Sequence, residues 1–213
     1  WTVSDETFAE VVASGYVKGL RPGDILLTAT SGQAMDTMTV RITESWQIEA
    51  GIRISPGVSS STLQMPDGSF RTWLPGIKTY ASADGLTWDD GAFVTGLSGA
   101  SGDFLSNPSV LRLGDGTYIM IYEGSPRAGS SGSRRLFRAT SPDAINWTKV
   151  NGAGTAGAVM DPQSGDNGFL SVPDMILLSD GSIRIYFVAG GDHTESAQST
   201  DNGATWTREG RIT

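Results

Sequence analysis

A repeated pair of short motifs constrains this 213-residue chain more than any other feature. Three Asp-Gly pairs each lie between two runs rich in β-forming residues, which is the strongest short-range signal for a β-hairpin. Each hairpin is followed by a box that begins Ser-x-Asp and ends in Trp. The Asp-Gly pairs begin at Asp67, Asp115 and Asp180, and the boxes occupy residues 82–88, 141–147 and 199–206.

The order of these signals predicts a four-stranded antiparallel sheet that occurs three times. From the Asp of each Asp-Gly pair to the Trp of the box, the distance is 21, 32 and 26 residues. A four-stranded unit of this size, repeated in tandem, is the blade of a β-propeller. We therefore predict an all-β fold in which residues 51–213 form at least three blades. Three blades do not close a ring. The chain is accordingly a fragment, is closed by its first 50 residues, or is completed by a partner subunit.

Within each box, the Asp side chain is expected to accept hydrogen bonds from turn N–H groups, and the Trp to pack between blades. The third box resembles the Asp-box of the sialidase superfamily, S-x-D-x-G-x-T-W. The first two boxes are one residue shorter, and the second has Ala144 where Gly is expected. This shorter form is similar to the repeat of five-bladed glycoside hydrolases of the arabinanase and invertase kind. The resemblance covers about residues 55–210 and implies a structural role for the box residues. These residues are Ser82, Asp84, Trp88, Ser141, Asp143, Trp147, Ser199, Asp201, Gly203 and Trp206.

Loop lengths predict which face of the propeller binds a ligand. The Asp-Gly turns and the boxes are short and share one face, whereas the loops on the other face are long, and long loops tend to be functional. Polar residues predicted for the loop-rich face are Asp103, Asn107, Glu123, Arg127, Arg134, Asp174, Asp192, His193 and Glu195. Predicted stacking surfaces for a sugar ring are Trp73, Tyr122 and Phe104. The alternative for each of these residues is an ordinary place in a loop.

Catalysis would require two carboxylates about 5–10 Å apart if the chain is a glycosidase. The resemblance to five-bladed hydrolases implies an acidic residue at the start of the first strand in successive blades. Those positions read Ser60-Ser61, Asn107-Pro108 and Pro173-Asp174, so only Asp174 is acidic. Glu123, at the predicted end of a second strand, is the candidate general acid. The arginine triad and the Tyr/Glu pair that a sialidase resemblance implies are not recovered.

The first 50 residues have no box and are predicted to form a separate helix and β-hairpin unit. Asp5 and Glu6 precede an apolar stretch, which predicts a short capped helix over residues 5–14 that ends at Gly15. Residues 5–27 are similar to a short module of bacteriophage virion proteins. A generic helix–hairpin cap on the propeller is the alternative interpretation.

Charge and composition disfavour several classes of partner. The formal net charge is −8, and the longest basic run is Arg134-Arg135, so binding to nucleic acid or to an anionic membrane is not expected. The chain has no Cys and one His, so neither a disulfide nor a multi-histidine metal site is expected, and no cofactor is predicted. No apolar run reaches the roughly 18 residues that span a bilayer.

The sequence leaves three functional hypotheses open. The first is a glycan-binding propeller module of a secreted or virion surface protein, whose partner is an oligosaccharide or cell-surface glycan. The second is a sialidase-like or arabinanase-like glycoside hydrolase that uses Glu123 and Asp174. The third is a structural or fibre component of a phage virion, which would form a homo-oligomer.

Overall fold

A computed structural model describes residues 1–12, 16–43, 51–55, 58–97, 104–125 and 133–212. Over these ranges it contains seventeen β-strands and one short 3-10 helix, Thr155–Gly157. The chain divides into two compact units, Trp1–Gly51 and Ile52–Thr213. Within the described ranges, no helix has the length and apolar content of a membrane span.

The first unit is built from two small antiparallel sheets. One sheet has the strand order β1-β4-β5, and the other pairs β2 with β3. The strands are β1 (Thr2–Val3), β2 (Ala9–Val12), β3 (Tyr16–Gly19), β4 (Gly23–Ser31) and β5 (Ala34–Ile42).

The helix predicted over residues 5–14 is absent from the described part of that range, residues 5–12, and that prediction was wrong. The Asp5 carboxylate does accept the backbone N–H of Thr7 at 2.8 Å, but it stabilises a turn. Strand β2 then follows, with Val11 opposite Val17 across a hairpin. β-branched side chains such as Val fit a pleated sheet better than a helix, and this preference prevails over the capping signal. Gly15 lies outside the described residues.

The second unit contains three four-stranded antiparallel sheets, which we call blades A, B and C. In each blade the strand order follows the chain, so each blade is a meander as the sequence predicted. Blade A consists of β6 (Ser61–Gln64), β7 (Phe70–Leu74), β8 (Lys78–Ser82) and β9 (Ala92–Phe93). Blade B consists of β10 (Phe104–Arg112), β11 (Tyr118–Ser125), β12 (Arg135–Ser141) and β13 (Thr148–Val150). Blade C consists of β14 (Leu170–Leu177), β15 (Ile183–Ala189), β16 (His193–Ser199) and β17 (Thr207–Arg211).

Two apolar layers join the three blades, one on each side of blade B. Side chains alternate between the two faces of a strand, and β11 uses both faces. Its Met120 packs with Trp73 of blade A in the first layer, whereas its Ile121 packs with Ile185 of blade C in the second. All eight residues of β11 are buried. Blade B therefore holds the unit together through its two faces.

The boxes are closed by their own Ser and Asp side chains. In the third box, the Ser199 hydroxyl oxygen accepts the backbone N–H of Gly203 at 2.8 Å, and Asp201 accepts that of Thr205 at 2.9 Å. The first two boxes make the same type of contacts from Asp84 and Asp143. Backbone N–H donors lower the pKa of Asp143 far below its usual range, the Asn146 N–H most of all. The box carboxylates are thus occupied by turn contacts.

The Gly position of the box requires a left-handed backbone. Gly85 and Gly203 have φ values of 75° and 77°, and Ala144 in the second box is forced to 63°. The carbonyl oxygens of Gly85 and Gly203 accept the indole N–H of their box Trp at 3.2 and 3.1 Å. The buried Nε1 of Trp147 has no hydrogen-bond partner among the described residues. The second box therefore keeps the shape of the motif and loses one of its contacts.

Replacing Trp73 by Ala should destabilise the second unit strongly. Its ring is fully buried and meets that of Trp147 edge to face, with centroids 6.2 Å apart. Truncating such a side chain costs about 3–5 kcal/mol. Trp206→Ala should cost less, because the Trp206 ring packs against the second layer but is only half-buried. Urea denaturation followed by circular dichroism measures both losses.

Trp1→Ala is the matched control, because the Trp1 side chain is 60% exposed. Its free energy of unfolding should change by no more than about 0.5 kcal/mol. An unchanged stability for Trp73→Ala would contradict the packing of blade A on blade B.

Candidate functional site

The chain bends through a residue with a left-handed backbone in, or just before, the first strand of each blade. β-bulges separate Ser106 from Ser109 in β10 and Ser171 from Asp174 in β14. The residue at the kink has a left-handed backbone in all three blades, although such angles are costly for residues other than Gly. These residues are Ser59, Asn107 and Val172, with φ values of 49°, 44° and 47°.

The three kinks together line a cavity of about 290 Å³. Each blade contributes one tripeptide: Ser59-Ser60-Ser61, Asn107-Pro108-Ser109 and Val172-Pro173-Asp174. The first strand of an antiparallel blade begins opposite its hairpin turn. The cavity therefore opens at the end that carries the long loops, where the sequence predicted the ligand face. We call it the central cavity.

Serines at the end of two of these tripeptides join neighbouring blades. The hydroxyl oxygen of Ser61 in blade A accepts the backbone N–H of Val110 in blade B at 3.0 Å. The hydroxyl oxygen of Ser109 in blade B accepts the N–H of Met175 in blade C at 2.9 Å. Asp174 holds the same position in blade C, and its side chain is exposed. The wall of the central cavity is thus made of repeat-related residues, of which one is a carboxylate.

Glu123 is fully buried behind this wall, at the end of β11. Its Oε2 accepts hydrogen bonds from the Asn107 amide at 2.6 Å and from the Ser171 hydroxyl. Its Oε1 accepts one from the Arg134 guanidinium at 2.5 Å. Because Ser171 belongs to blade C and the other residues to blade B, the carboxylate joins two blades. A general acid must reach the leaving-group oxygen, and in this arrangement Glu123 has no exposed surface from which to do so.

A second group of charged residues lies at the start of β16 and in the loop before blade C. Arg208 donates to Asp166 at 2.6 Å and to Glu195 at 2.5 Å. The ring nitrogens of His193 lie 2.7 Å from Asp192 and 3.1 Å from Glu195. Burial acts to raise the pKa of Asp166, but the hydrogen bonds from Arg208 outweigh it and hold that pKa below its usual value.

Three of these side chains could in principle hold a metal ion. Asp166, His193 and Glu195 each offer one ligand atom, and these atoms lie within 4.8 Å of one another. Arg208 already contacts both carboxylates and supplies a positive charge between them. A cation would have to displace this guanidinium, so the donor set fits an ion-pair network better than a metal site.

The predicted site residues fall into separate places. Asn107 and Asp174 line the central cavity, Glu123 and Arg134 lie behind it, and Asp192, His193 and Glu195 belong to the charged group around Arg208. Asp103 and Arg127 lie outside the described residues, as does the side chain of Phe104.

Two predicted stacking residues are not at the ligand face, and this corrects the sequence interpretation. Trp73 is 0% exposed and Tyr122 only 2%, because both side chains point into the first apolar layer. Tyr122 stacks on Phe137, with ring centroids 5.8 Å apart. Neither ring can meet a sugar in this structure.

Sequence reasoning missed the serines around the central cavity and Arg208. These residues make most of the hydrogen bonds described above. A signal for the serines was available in the parallel tetrapeptides Ser-Asn-Pro-Ser and Ser-Val-Pro-Asp, which begin at Ser106 and Ser171. When the two tetrapeptides are aligned, they mark the kink and the cavity wall in blades B and C. Arg208 carried no comparable signal, because its partners come from distant segments.

Comparison with solved structures identifies the fold. A family 117 glycoside hydrolase from Zobellia galactanivorans matches 71% of this chain and 54% of its own, with 14% identity and a TM-score of 0.54. An exo-inulinase from Aspergillus awamori matches 72% of this chain and 37% of its own, with 13% identity and a TM-score of 0.56. A GH32 β-fructofuranosidase from Bombyx mori matches 72% and 34%, with 13% identity and a TM-score of 0.55. The second unit therefore has the β-propeller fold that the sequence predicted.

The match is one of fold alone, because the identities are low. The chain spans about a third to a half of the length of these three proteins. No protein-family model and no curated protein matches the sequence. The sialidase and virion resemblances stay predictions, since none of the three proteins is named as either.

Replacing Arg134 by Met should cost about 3–5 kcal/mol of stability. The substitution removes the ion-pair partner of a carboxylate that stays fully buried, and an uncompensated buried charge is strongly destabilising. Arg184→Met is the matched control, because Arg184 pairs with Glu209 and both side chains are about a third exposed. The control should lose about 0–1 kcal/mol in urea denaturation. Equal losses of stability in the two variants would contradict the full burial of the Glu123 carboxylate.

His193 should titrate above its ordinary pKa of about 6.5. Its charged ring is stabilised first by Asp192 and then by Glu195, which raises the pKa of His193. Its contribution to stability is therefore full below the unfolded pKa and is lost as pH rises through the folded pKa. His193 is the only histidine, so its imidazole NMR signal needs no assignment.

Asp192→Asn should lower the pKa of His193 toward its ordinary value, because the substitution removes the nearer carboxylate. Asp90→Asn, which changes an exposed acid of blade A, should leave it where it is. A wild-type His193 that titrates below about 6.5 would show that the two carboxylates do not contact the ring.

Proposed function

We propose that the second unit binds a carbohydrate in the central cavity and does not hydrolyse it through a pair of carboxylates. The observation that carries this proposal is the composition of the cavity wall. Four serines, Asn107 and Asp174 provide hydroxyl, amide and carboxylate groups, which suit the hydroxyls of a sugar. The volume of about 290 Å³ lies at the low end of small-molecule sites, so we expect a single terminal sugar residue to enter.

The number of accessible acids argues against a two-carboxylate mechanism. Such a mechanism needs an acid and a base or nucleophile that flank the scissile bond. Among the nine described residues that line the cavity, Asp174 is the one acid. Glu123, the second acid of the hydrolase hypothesis, is buried and bound to Asn107, Ser171 and Arg134. The residues present therefore favour recognition over bond cleavage.

Carbohydrate is favoured as the ligand class by the activities of the structural matches. They include a family 117 glycoside hydrolase, an exo-inulinase and a β-fructofuranosidase. A glycoside hydrolase activity is the second candidate function. It is favoured by Asp174, which follows the β-bulge in the first strand of its blade, near the place where the family resemblance implies an acid. A secreted or virion surface location remains a prediction from the sequence.

Binding should be found by glycan array and then measured by calorimetry with the saccharide that binds. Asp174→Asn should weaken that binding about 10- to 100-fold, because a hydrogen bond to a charged group contributes about 1.5–3 kcal/mol. The matched control is Glu6→Gln, which makes the same charge change at an exposed residue of the first unit. Its affinity should equal that of the wild type.

The same samples separate the two functions. Release of reducing sugar by the wild type that is lost in Asp174→Asn would establish a hydrolase and overturn the binding proposal. Equal affinity of Asp174→Asn and wild type would show that the saccharide binds elsewhere. An array without any bound glycan would overturn both functions.

A further inference from the structure

Three Asn-Gly pairs occur in the second unit, and this dipeptide is able to modify itself. The pairs begin at Asn151, Asn167 and Asn202. Because Gly has no side chain, the backbone nitrogen that follows the Asn can reach the carbon of the side-chain amide and form a cyclic imide. That nitrogen must first lose its proton, so a pair whose Gly N–H donates a hydrogen bond is protected. The fold therefore decides which of the three pairs reacts.

Two of the three pairs have their Gly N–H in a hydrogen bond. The N–H of Gly152 donates to the carbonyl oxygen of Gly157 at 2.9 Å. The N–H of Gly203 donates to the Ser199 hydroxyl at 2.8 Å, and Gly203 is buried within the third box. Each of these contacts has to break before the nitrogen can attack the neighbouring amide, which slows the reaction in both pairs.

The third pair, Asn167 and Gly168, forms the tip of a tight turn before blade C. The turn is closed by the N–H of Phe169, which donates to the carbonyl oxygen of Asp166 at 2.8 Å. Asn167 and Gly168 have φ values of 49° and 72°, as the two central residues of a type I′ turn do. The closing bond of such a turn uses neither the Gly168 N–H nor the Asn167 amide. Across the described ranges, neither group has a hydrogen-bond partner, and Asn167 is exposed.

We propose that Asn167 is a site of spontaneous deamidation, and that Asn151 and Asn202 are protected from it. The Gly168 nitrogen gives its proton to a base in the solvent and bonds to the Cγ carbon of Asn167. The bond from Cγ to the amide nitrogen breaks, and this nitrogen takes up a proton and leaves as ammonia. Water then opens the imide at one of its two carbonyl groups, which gives aspartate or isoaspartate. Water is the one co-reactant, and nothing is oxidised or reduced.

The turn that would be modified connects two groups of charged residues. Its Asp166 carboxylate belongs to the charged group at the start of blade C. The carbonyl oxygen of Gly168 accepts the backbone N–H of Arg134 at 2.9 Å, and Arg134 is the ion-pair partner of the buried Glu123. An isoaspartate at Asn167 lengthens the backbone by one methylene group, so the turn cannot keep both contacts. Deamidation thus weakens the support of Arg134. This proposal does not depend on sugar binding.

The rates of deamidation in the folded and unfolded chain test the proposal. The full chain is incubated at mildly alkaline pH with and without urea, and tandem mass spectrometry of its peptides follows each Asn. In the folded chain, Asn167 should react about tenfold faster than Asn151 or Asn202, because those two pairs must first break a hydrogen bond. In urea, where each Gly N–H is free, the three rates should converge. Equal rates in the folded chain, or faster loss of Asn151 or Asn202, would overturn the proposal.

The effect of the modification on stability is tested with two matched variants. Asn167→Gly removes the reactive amide and tolerates the left-handed backbone of the turn, whereas Asn202→Gly makes the same change in a protected pair. During the incubation, the wild type and Asn202→Gly should accumulate isoaspartate, detected by enzymatic methylation, and their Tm should fall. Asn167→Gly should keep its initial Tm. An equal fall of Tm in Asn167→Gly would show that the loss of stability does not come from Asn167.

Discussion

The burial of both faces of blade B is the constraint on which the second unit depends. A single four-stranded sheet leaves two faces exposed to water, and a repeat of this kind becomes stable only when its neighbours cover it. The sequence of β11, YIMIYEGS, is accordingly apolar without alternation over its first five residues, whereas β15, IRIYFVA, still alternates at its start. The apolar pattern of these two second strands therefore agrees with the burial of both faces in β11 and of one face in β15. The positions of the first strands, and so of the central cavity, follow from this packing.

The sequence predicted much of the fold because its strongest signals are local. Asp-Gly turns and boxes act within a few residues, so three four-stranded blades could be expected without knowledge of distant contacts. The helix over residues 5–14 failed, because Val11 gains more from its partner across the hairpin than from a helical turn. Trp73 was assigned to the surface because the face of a strand on which a residue lies depends on its neighbours in space. Local sequence does not carry that information.

The sequence predicted residues of the candidate site only where their side chains carry a carboxylate or an amide. Asn107 and Asp174 were expected at the ligand face and line the cavity, and Glu123 was expected to be accessible but is buried. The difference arises from Arg134 and Ser171, which neutralise and cover the Glu123 carboxylate from two different blades. A buried charge of this kind is kept because its partners are fixed around it. The Glu123 carboxylate thus joins two blades behind the cavity wall, while the serines Ser61 and Ser109 join neighbouring blades along the wall itself.

The edge-to-face pair of Trp73 and Trp147 has a spectroscopic consequence. Two indole rings at 6.2 Å, inclined by 85° and held in a rigid layer, couple their electronic transitions. That coupling gives the interface of blades A and B a dichroic signal, and we expect this signal to vanish when the two blades separate. Trp206 lies in the other layer, hydrogen-bonded to Gly203 of its own box. The surroundings of its ring therefore depend on the packing of blades B and C, and not on the contact between blades A and B.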